Sequence, residues 1–140
     1  MERYVLEALQ KAVTAAVAAT TFPEVAVKYV GRQFTIPSDD KWLELVYIPN
    51  NIIGEFWGTE KTHRGVLRLL LHWPMDDAGA YPPIDALQPI LDGFVKGVKY
   101  EDLGQNVKVQ VTETPNILNV IEDAPEILVA ASVRYNFFSS

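Results

Sequence analysis

The sequence predicts an α+β domain in which two helices pack on one face of a mainly antiparallel sheet of four to five strands. Three observations predict this class: a long apolar run near the middle of the chain, two segments with helical periodicity, and several segments with strand-like alternation. The chain has 140 residues and shows no internal repeat or linker. We therefore expect a single domain spanning residues 1–140.

The apolar run from Thr62 to Pro74 predicts the central strand. Alternation puts one set of side chains on a strongly apolar face: Leu67, Leu69, Leu71 and Trp73. The opposite face is partly apolar as well: Val66, Arg68, Leu70 and His72. A strand that is covered on both faces has this pattern and usually lies near the middle of a sheet.

Two segments have helical periodicity. Residues 2–20 place an apolar stripe on one side: Val5, Leu9, Ala12, Val13 and Ala16. A second helix follows Pro82-Pro83, with this apolar stripe: Ile84, Leu87, Leu91, Phe94 and Val98. Pro89 disrupts the pattern, so either the first turn is irregular or the regular helix begins near residue 86. Gly97 is the expected C-terminal cap.

Four further segments are predicted as strands: the short β-branched run Val25–Val30, which Gly31 closes, then Trp42–Ile48, the alternating segment Val107–Thr114, and Glu126–Phe138. In the last of these, alternate residues from Ile127 to Phe137 share one apolar face. Two other segments, Asn51–Glu60 and Pro115–Pro125, are predicted as connections because they begin or end near proline or glycine.

The composition excludes several classes of function. The chain has no cysteine, which excludes disulfides, thiolate metal sites and a cysteine nucleophile. Its net charge is −6 and its basic residues are scattered singly, so tight binding of nucleic acid is not expected. The start of the chain lacks the pattern of a signal peptide, and no apolar run is long enough to span a membrane.

No group of residues points to catalysis or metal binding. His63 and His72 are nine positions apart, so in one strand they face opposite sides of the sheet and cannot share a metal ion. The carboxylates are dispersed among predicted turns, although two of them could still meet as a glycosidase pair. Nucleophile-elbow, phosphate-loop and dinucleotide motifs are lacking. We therefore predict no catalytic, metal-binding or cofactor-binding residues.

The two predicted connections are more apolar than solvent loops need to be. The first contains Ile52, Ile53, Phe56 and Trp57, and the second contains Ile117, Leu118, Val120 and Ile121. Either the connections fold back as lids on the core, or they pack on other subunits, since clustered exposed apolar residues mark interfaces. Gly93-x-x-x-Gly97 leaves a similar choice between a plain helix end and close approach by a neighbouring subunit.

The order of these segments resembles a known family. WLELVYIPN (Trp42 to Asn50) and HRGVLRLLLHWP (His63 to Pro74) resemble the paired strands of the lambda-like tail terminators of tailed bacteriophages. VKVQVTETP (Val107 to Pro115) and ILVAASVRYNFF (Ile127 to Phe138) are similar to the two closing strands of that family. The resemblance covers nearly the whole chain, from the first helix onward. The chain departs from the family at the prolines of the second helix.

The resemblance implies a structural virion protein without cofactors. Such a protein forms a homo-oligomeric ring, usually a hexamer, which caps the tail tube, ends its polymerisation and meets the head connector. It would assemble in the host cytoplasm, bind the tail tube protein and a head-completion protein, and let phage DNA pass without tight binding. The two apolar connections are then candidates for subunit or tube contacts. Alternatives are a head–tail joining or tail-tube component of similar fold, and a small-molecule-binding or hydrolytic α+β domain.

Overall fold

Two helices and seven strands make up the part of the chain that the structure describes, which is residues 2–20, 25–55, 61–77, 79–94, 99–102 and 107–139 of a computed structural model. In chain order the elements are α1 (Glu2–Ala18), β1 (Ala26–Lys28), β2 (Trp42–Glu55), β3 (Lys61–Pro74), α2 (Tyr81–Asp92), β4 (Lys99–Asp102), β5 (Val107–Val111), β6 (Asn116–Asp123) and β7 (Glu126–Ser139).

The strands form one sheet in the order β1-β2-β3-β7-β5-β4, with β6 also paired to β7. The β1–β2 pair is parallel and every other pair is antiparallel. β3 lies between β2 and β7 and pairs with both over most of its length. The predicted central strand and the predicted α+β class are both confirmed.

One edge of β7 is shared by two successive strands. β6 pairs with the first part of β7, from Glu126 to Ser132, and β5 pairs with the last part, from Tyr135 to Phe138. Between them the backbone N–H of Thr112 donates a hydrogen bond of 3.0 Å to the carbonyl of Arg134. β5 and β6 therefore run along β7 like one long strand with an interruption, and a tight turn at Ala124-Pro125 joins β6 to β7.

The core lies between the helices and one face of the sheet. The odd-numbered residues of β3 and β7 face it, as the alternation predicts, and α2 packs over these two strands. The apolar stripe of α1 joins the same core and packs against α2, β4 and β5. The largest fully buried side chains include Tyr135, Phe94, Phe137, Leu9, Leu67, Leu69 and Leu71. Both helices thus cover the same face, as predicted. In the described part of the chain the other face of the sheet has no helix, and it is called the face without helices below.

The second helix does not begin near residue 86, which was one of the two alternatives that the sequence left open. It begins at Tyr81, with proline in its first turn, where a missing N–H breaks no helical hydrogen bond. Pro89 lies inside the helix. The helix ends at Asp92 and Gly93 is its cap, while the expected cap at Gly97 is outside the described residues.

Gly93, the C-terminal cap of α2, is exposed but lies close to α1. A Cβ atom at Gly93 would lie 2.9 Å from the Cβ of Ala16, so the end of α2 approaches α1 of the same chain. This close approach explains the glycine without a neighbouring subunit.

The predicted loop at Pro115–Pro125 is wrong, because most of it is strand β6. The sequence conceals this strand, since a bulge between Ile117 and Asn119 breaks the alternation and prolines flank the segment. β2 likewise continues into the predicted connection at Asn51–Glu60, with irregular pairing after Pro49, where a proline is tolerated. With β4 and β6, the sheet has more strands than expected.

Candidate assembly surface

β6 is the most exposed strand of the sheet whose side chains the structure describes. Among the described residues it pairs with β7 alone, so its second edge has no strand partner there. Ile117 packs against the core, but three other apolar side chains are exposed: Leu118 (58%), Val120 (38%) and Ile121 (40%). β6 therefore combines an open backbone edge with apolar side chains.

Proteins usually protect such an edge. Lysine, proline or an inward-pointing charge within an edge strand prevents pairing with another chain. β6 has none of these between Asn116 and Ile121, and its carboxylates, Glu122 and Asp123, come only at its end. An exposed apolar edge of this kind marks a contact surface.

The apolar side chains of β6 lie on both faces of the β6–β7 hairpin. Val120 pairs with Val129, which faces the core, whereas Ile121 pairs with Leu128 on the face without helices. The bulge at Leu118 separates these residues from Ile117. A partner chain that bound along the open edge of the hairpin would thus contact apolar side chains on both of its faces.

The face without helices holds a second ordered group, centred on His72. Its ring stacks on the indole of Trp42, and its Nδ1 lies 2.6 Å from Oε1 of Glu126. Its Nε2 lies 3.6 Å from Oε1 of Glu44. The group joins β2, β3 and β7, and only 11% of the His72 side chain is exposed. His72 thus shares a face of β3 with Arg68, as the alternation predicts.

This arrangement does not support a hydrolytic site. A glycosidase needs two carboxylates separated by open space for a sugar and water. Glu44 and Glu126 come near each other, but the imidazole ring of His72 occupies the space between them and contacts both. Within the described ranges, no three potential ligand side chains gather into a metal site. Within the same ranges, neither helix is long and apolar enough to cross a membrane.

The structure describes the backbone of six of the eight predicted interface residues. Ile117, Leu118, Val120 and Ile121 share β6, as described above. The backbone of Ile52 pairs with His63, near the start of β3. Ile121 of β6 pairs with Leu128, and Leu128 pairs with His72, near the other end of β3. Nine residues of extended strand span about 30 Å. Ile53 follows in β2, and Phe56 and Trp57 lie outside the described residues.

The sequence also conceals a basic groove beside α1. The groove has a volume of about 960 Å³ and lies between α1 and residues 29–32. Two hydrogen bonds hold its walls together: the hydroxyls of Thr14 and Tyr29 are 2.6 Å apart, and the N–H of Val30 donates to Oε1 of Gln10 at 3.2 Å.

Arg3, Lys11 and Arg32 line this groove together with Glu7. Arg32 is far from α1 in sequence and only the fold brings it beside Arg3 and Lys11, which is why a search for basic clusters does not find the group. The spacing of Arg3, Glu7 and Lys11 by four residues was a signal, since it places all three on one side of a helix.

The fold and these surfaces define a class: a small α+β domain with an exposed apolar edge strand, as in proteins that assemble with other chains. A family model described as "Phage tail terminator protein" matches residues 5–135. The chain therefore belongs to the phage tail terminator family, and it is a structural component of a phage tail and of the virion.

Solved structures share the fold. One of them has 19% sequence identity to this chain, covers 98% of this chain and 95% of its own, and has a TM-score of 0.77. At that identity the likeness concerns the fold alone. No curated protein sequence matches the chain.

Proposed function

We propose that the protein forms a homo-oligomeric ring, as a hexamer, that caps the tail tube, ends its polymerisation and provides the interface to the head connector. The apolar edge strand β6 carries this proposal, because it offers an unprotected surface for another chain. A closed ring needs head-to-tail contacts between two different surfaces of each subunit. The role is structural and involves no catalysis.

The two apolar segments have separate tasks in this proposal. β6 makes subunit contacts, and the segment with Ile52, Ile53, Phe56 and Trp57 meets the tail tube. The register of the sheet supports this division, since Ile52 pairs with His63, whereas Ile121 aligns through Leu128 with His72 near the other end of β3. The head-completion protein then binds the opposite side of the ring.

The acidic balance suits a ring through which DNA passes. The chain carries a net charge of −6, and a negative lumen repels phosphate groups and does not retain them. Assembly takes place in the host cytoplasm, before the tail joins the head.

Light scattering across a concentration series, with and without polymerised tail tubes, tests this function. We expect a discrete ring, or a monomer that joins tube ends and halts their growth, with electron microscopy showing density at one end of each tube. A protein that adds along the tube and lengthens it would instead be a tube component. A monomer that ignores tubes would contradict the proposal.

A further inference from the structure

The groove beside α1 has a charge opposite to that of the protein. Its lining carries three cations, Arg3, Lys11 and Arg32, and one carboxylate, Glu7, whereas the whole chain has a net charge of −6. Glu7 already pairs with Lys11 at 3.3 Å, so the groove keeps an excess of positive charge. Its floor also includes apolar groups, among them Leu6 and Ala15. Its chemistry suits an acidic segment with apolar side chains.

The tip of the β6–β7 hairpin has that complementary chemistry. Its residues Ile121, Glu122, Asp123, Ala124 and Pro125 are all exposed. One apolar side chain is thus followed directly by two carboxylates, at the narrow end of a hairpin. A hairpin tip is slender enough to enter a groove of this size, where its carboxylates would meet cations.

A subunit cannot insert this tip into its own groove. The groove wall at residues 29–32 directly follows β1, and three strands lie between β1 and β6 in the sheet. The distance along the sheet is about 19 Å at the usual strand spacing. The pairing of β6 with β7 holds the tip away from this wall. Two complementary surfaces that are held apart within one chain can fit together between copies, head to tail.

We propose that the β6–β7 hairpin tip of one subunit docks in the basic groove beside α1 of the next copy. Glu122 and Asp123 pair with Arg3 and Arg32, and Ile121 packs on Leu6 and Ala15. This contact repeats around the ring, so the inference rests on the proposed function and specifies its subunit interface.

Charge reversal in both surfaces tests the contact. The groove variant carries Arg3→Glu and Arg32→Glu, and the tip variant carries Glu122→Lys and Asp123→Lys. Each alone should weaken self-association about tenfold or more, because like charges then face each other. An equimolar mixture of the two should recover association, since the reversed tip fits the reversed groove. Recovery in the mixture cannot result from misfolding of either variant.

Because the chain lacks cysteine, crosslinking gives a second test. The variant with Ala15→Cys and Ala124→Cys should form a ladder of disulfide-linked oligomers under mild oxidation, in solution or on tail tubes. The matched control has Ala19→Cys, at an exposed residue directly after α1 and outside the groove, with Ala124→Cys, and should give no ladder.

The possible outcomes distinguish a failure of the proposed contact from a failure of the proposed function. If rings form and tubes are capped, but charge reversal has no effect and no ladder appears, the proposed tip–groove contact is wrong and the proposed function is still supported. If groove reversal blocks binding to tubes without any ladder, the groove binds the tube protein and the contact is again wrong. If the protein neither associates nor joins tubes, both proposals are wrong.

Discussion

The imidazole ring of His72 lies flat against the indole ring of Trp42, with ring centroids 3.7 Å apart and an interplanar angle of 3°. The same imidazole contacts Glu126 through Nδ1 at 2.6 Å, so one side chain joins three neighbouring strands on the face that no helix covers. Stacking and a hydrogen bond to a carboxylate each add stability where water is largely excluded. His72 is therefore a structural connection within the sheet.

Replacing His72 by alanine should lower the free energy of unfolding by about 1–3 kcal/mol, because both the stack and the hydrogen bond are lost. Urea unfolding measures the change. The matched control is Arg68→Ala, an exposed position on the same strand and face, where we expect a change within about 0.5 kcal/mol. Equal effects at the two positions would show that the His72 contacts add nothing.

Gly65 leaves room for the ring of Tyr135. A Cβ atom at Gly65 would overlap the phenol ring of Tyr135, which is buried in the core and paired with Gly65 across β3 and β7. Gly65→Ala should destabilise the protein by about 1–3 kcal/mol, since the ring must leave its position. Thermal unfolding would detect this as a lowered Tm.

A double-mutant cycle identifies the cause of that loss. In a Tyr135→Ala background the substitution at Gly65 should cost much less, because the ring it meets is gone. The same cost in both backgrounds would mean that the backbone of β3, and not the ring, requires glycine.

The two faces of β3 should differ in their response to truncation. Leu71 is fully buried beneath the helices, whereas Leu70, its neighbour, is half-buried on the other face. Leu71→Ala should cost about 2–5 kcal/mol, and Leu70→Ala clearly less, because less apolar area leaves water at that position. Urea unfolding of both variants measures the contrast. Equal losses would mean that the face without helices is also covered.

The sequence predicts the elements whose burial alternates, and it misses those whose burial does not. β3 and β7 each bury every second residue, so their pattern alone indicates strand, face and central position. β6 buries little beyond part of Ile117 and contains a bulge, so its residues look like a loop. Its apolar excess is still visible in the sequence, which is why these residues are interface candidates although their secondary structure is not predicted.

Sites built from distant residues cannot be predicted in this way. The His72 group needs Glu126, which is 54 positions away, and the groove needs Arg32 beside α1. Neither pair has a local pattern, because only the folded sheet and the packing of α1 bring these side chains together. The sequence gives the number of charges, while their grouping depends on tertiary structure.

The exposed edge strand leads to a further prediction about assembly. Ile121→Lys places a charge at a position that is 40% exposed and that we assign to the subunit contact. Its effect on stability should stay within about 0.5 kcal/mol, because a lysine there can keep its ammonium group in water. Self-association and binding to tube ends should fall strongly, because the contact would have to bury that charge. Light scattering and thermal unfolding measure the two effects separately.

The matched control is Ile36→Lys. Ile36 is also an exposed isoleucine, at 56%, but it precedes β2 and belongs to neither the edge strand nor the groove. Both substitutions change the net charge equally, so a general electrostatic effect on association would appear in both variants. Loss of assembly in the Ile121 variant alone would assign the contact to β6. Equal loss in both would show that the charge, and not the edge strand, controls assembly.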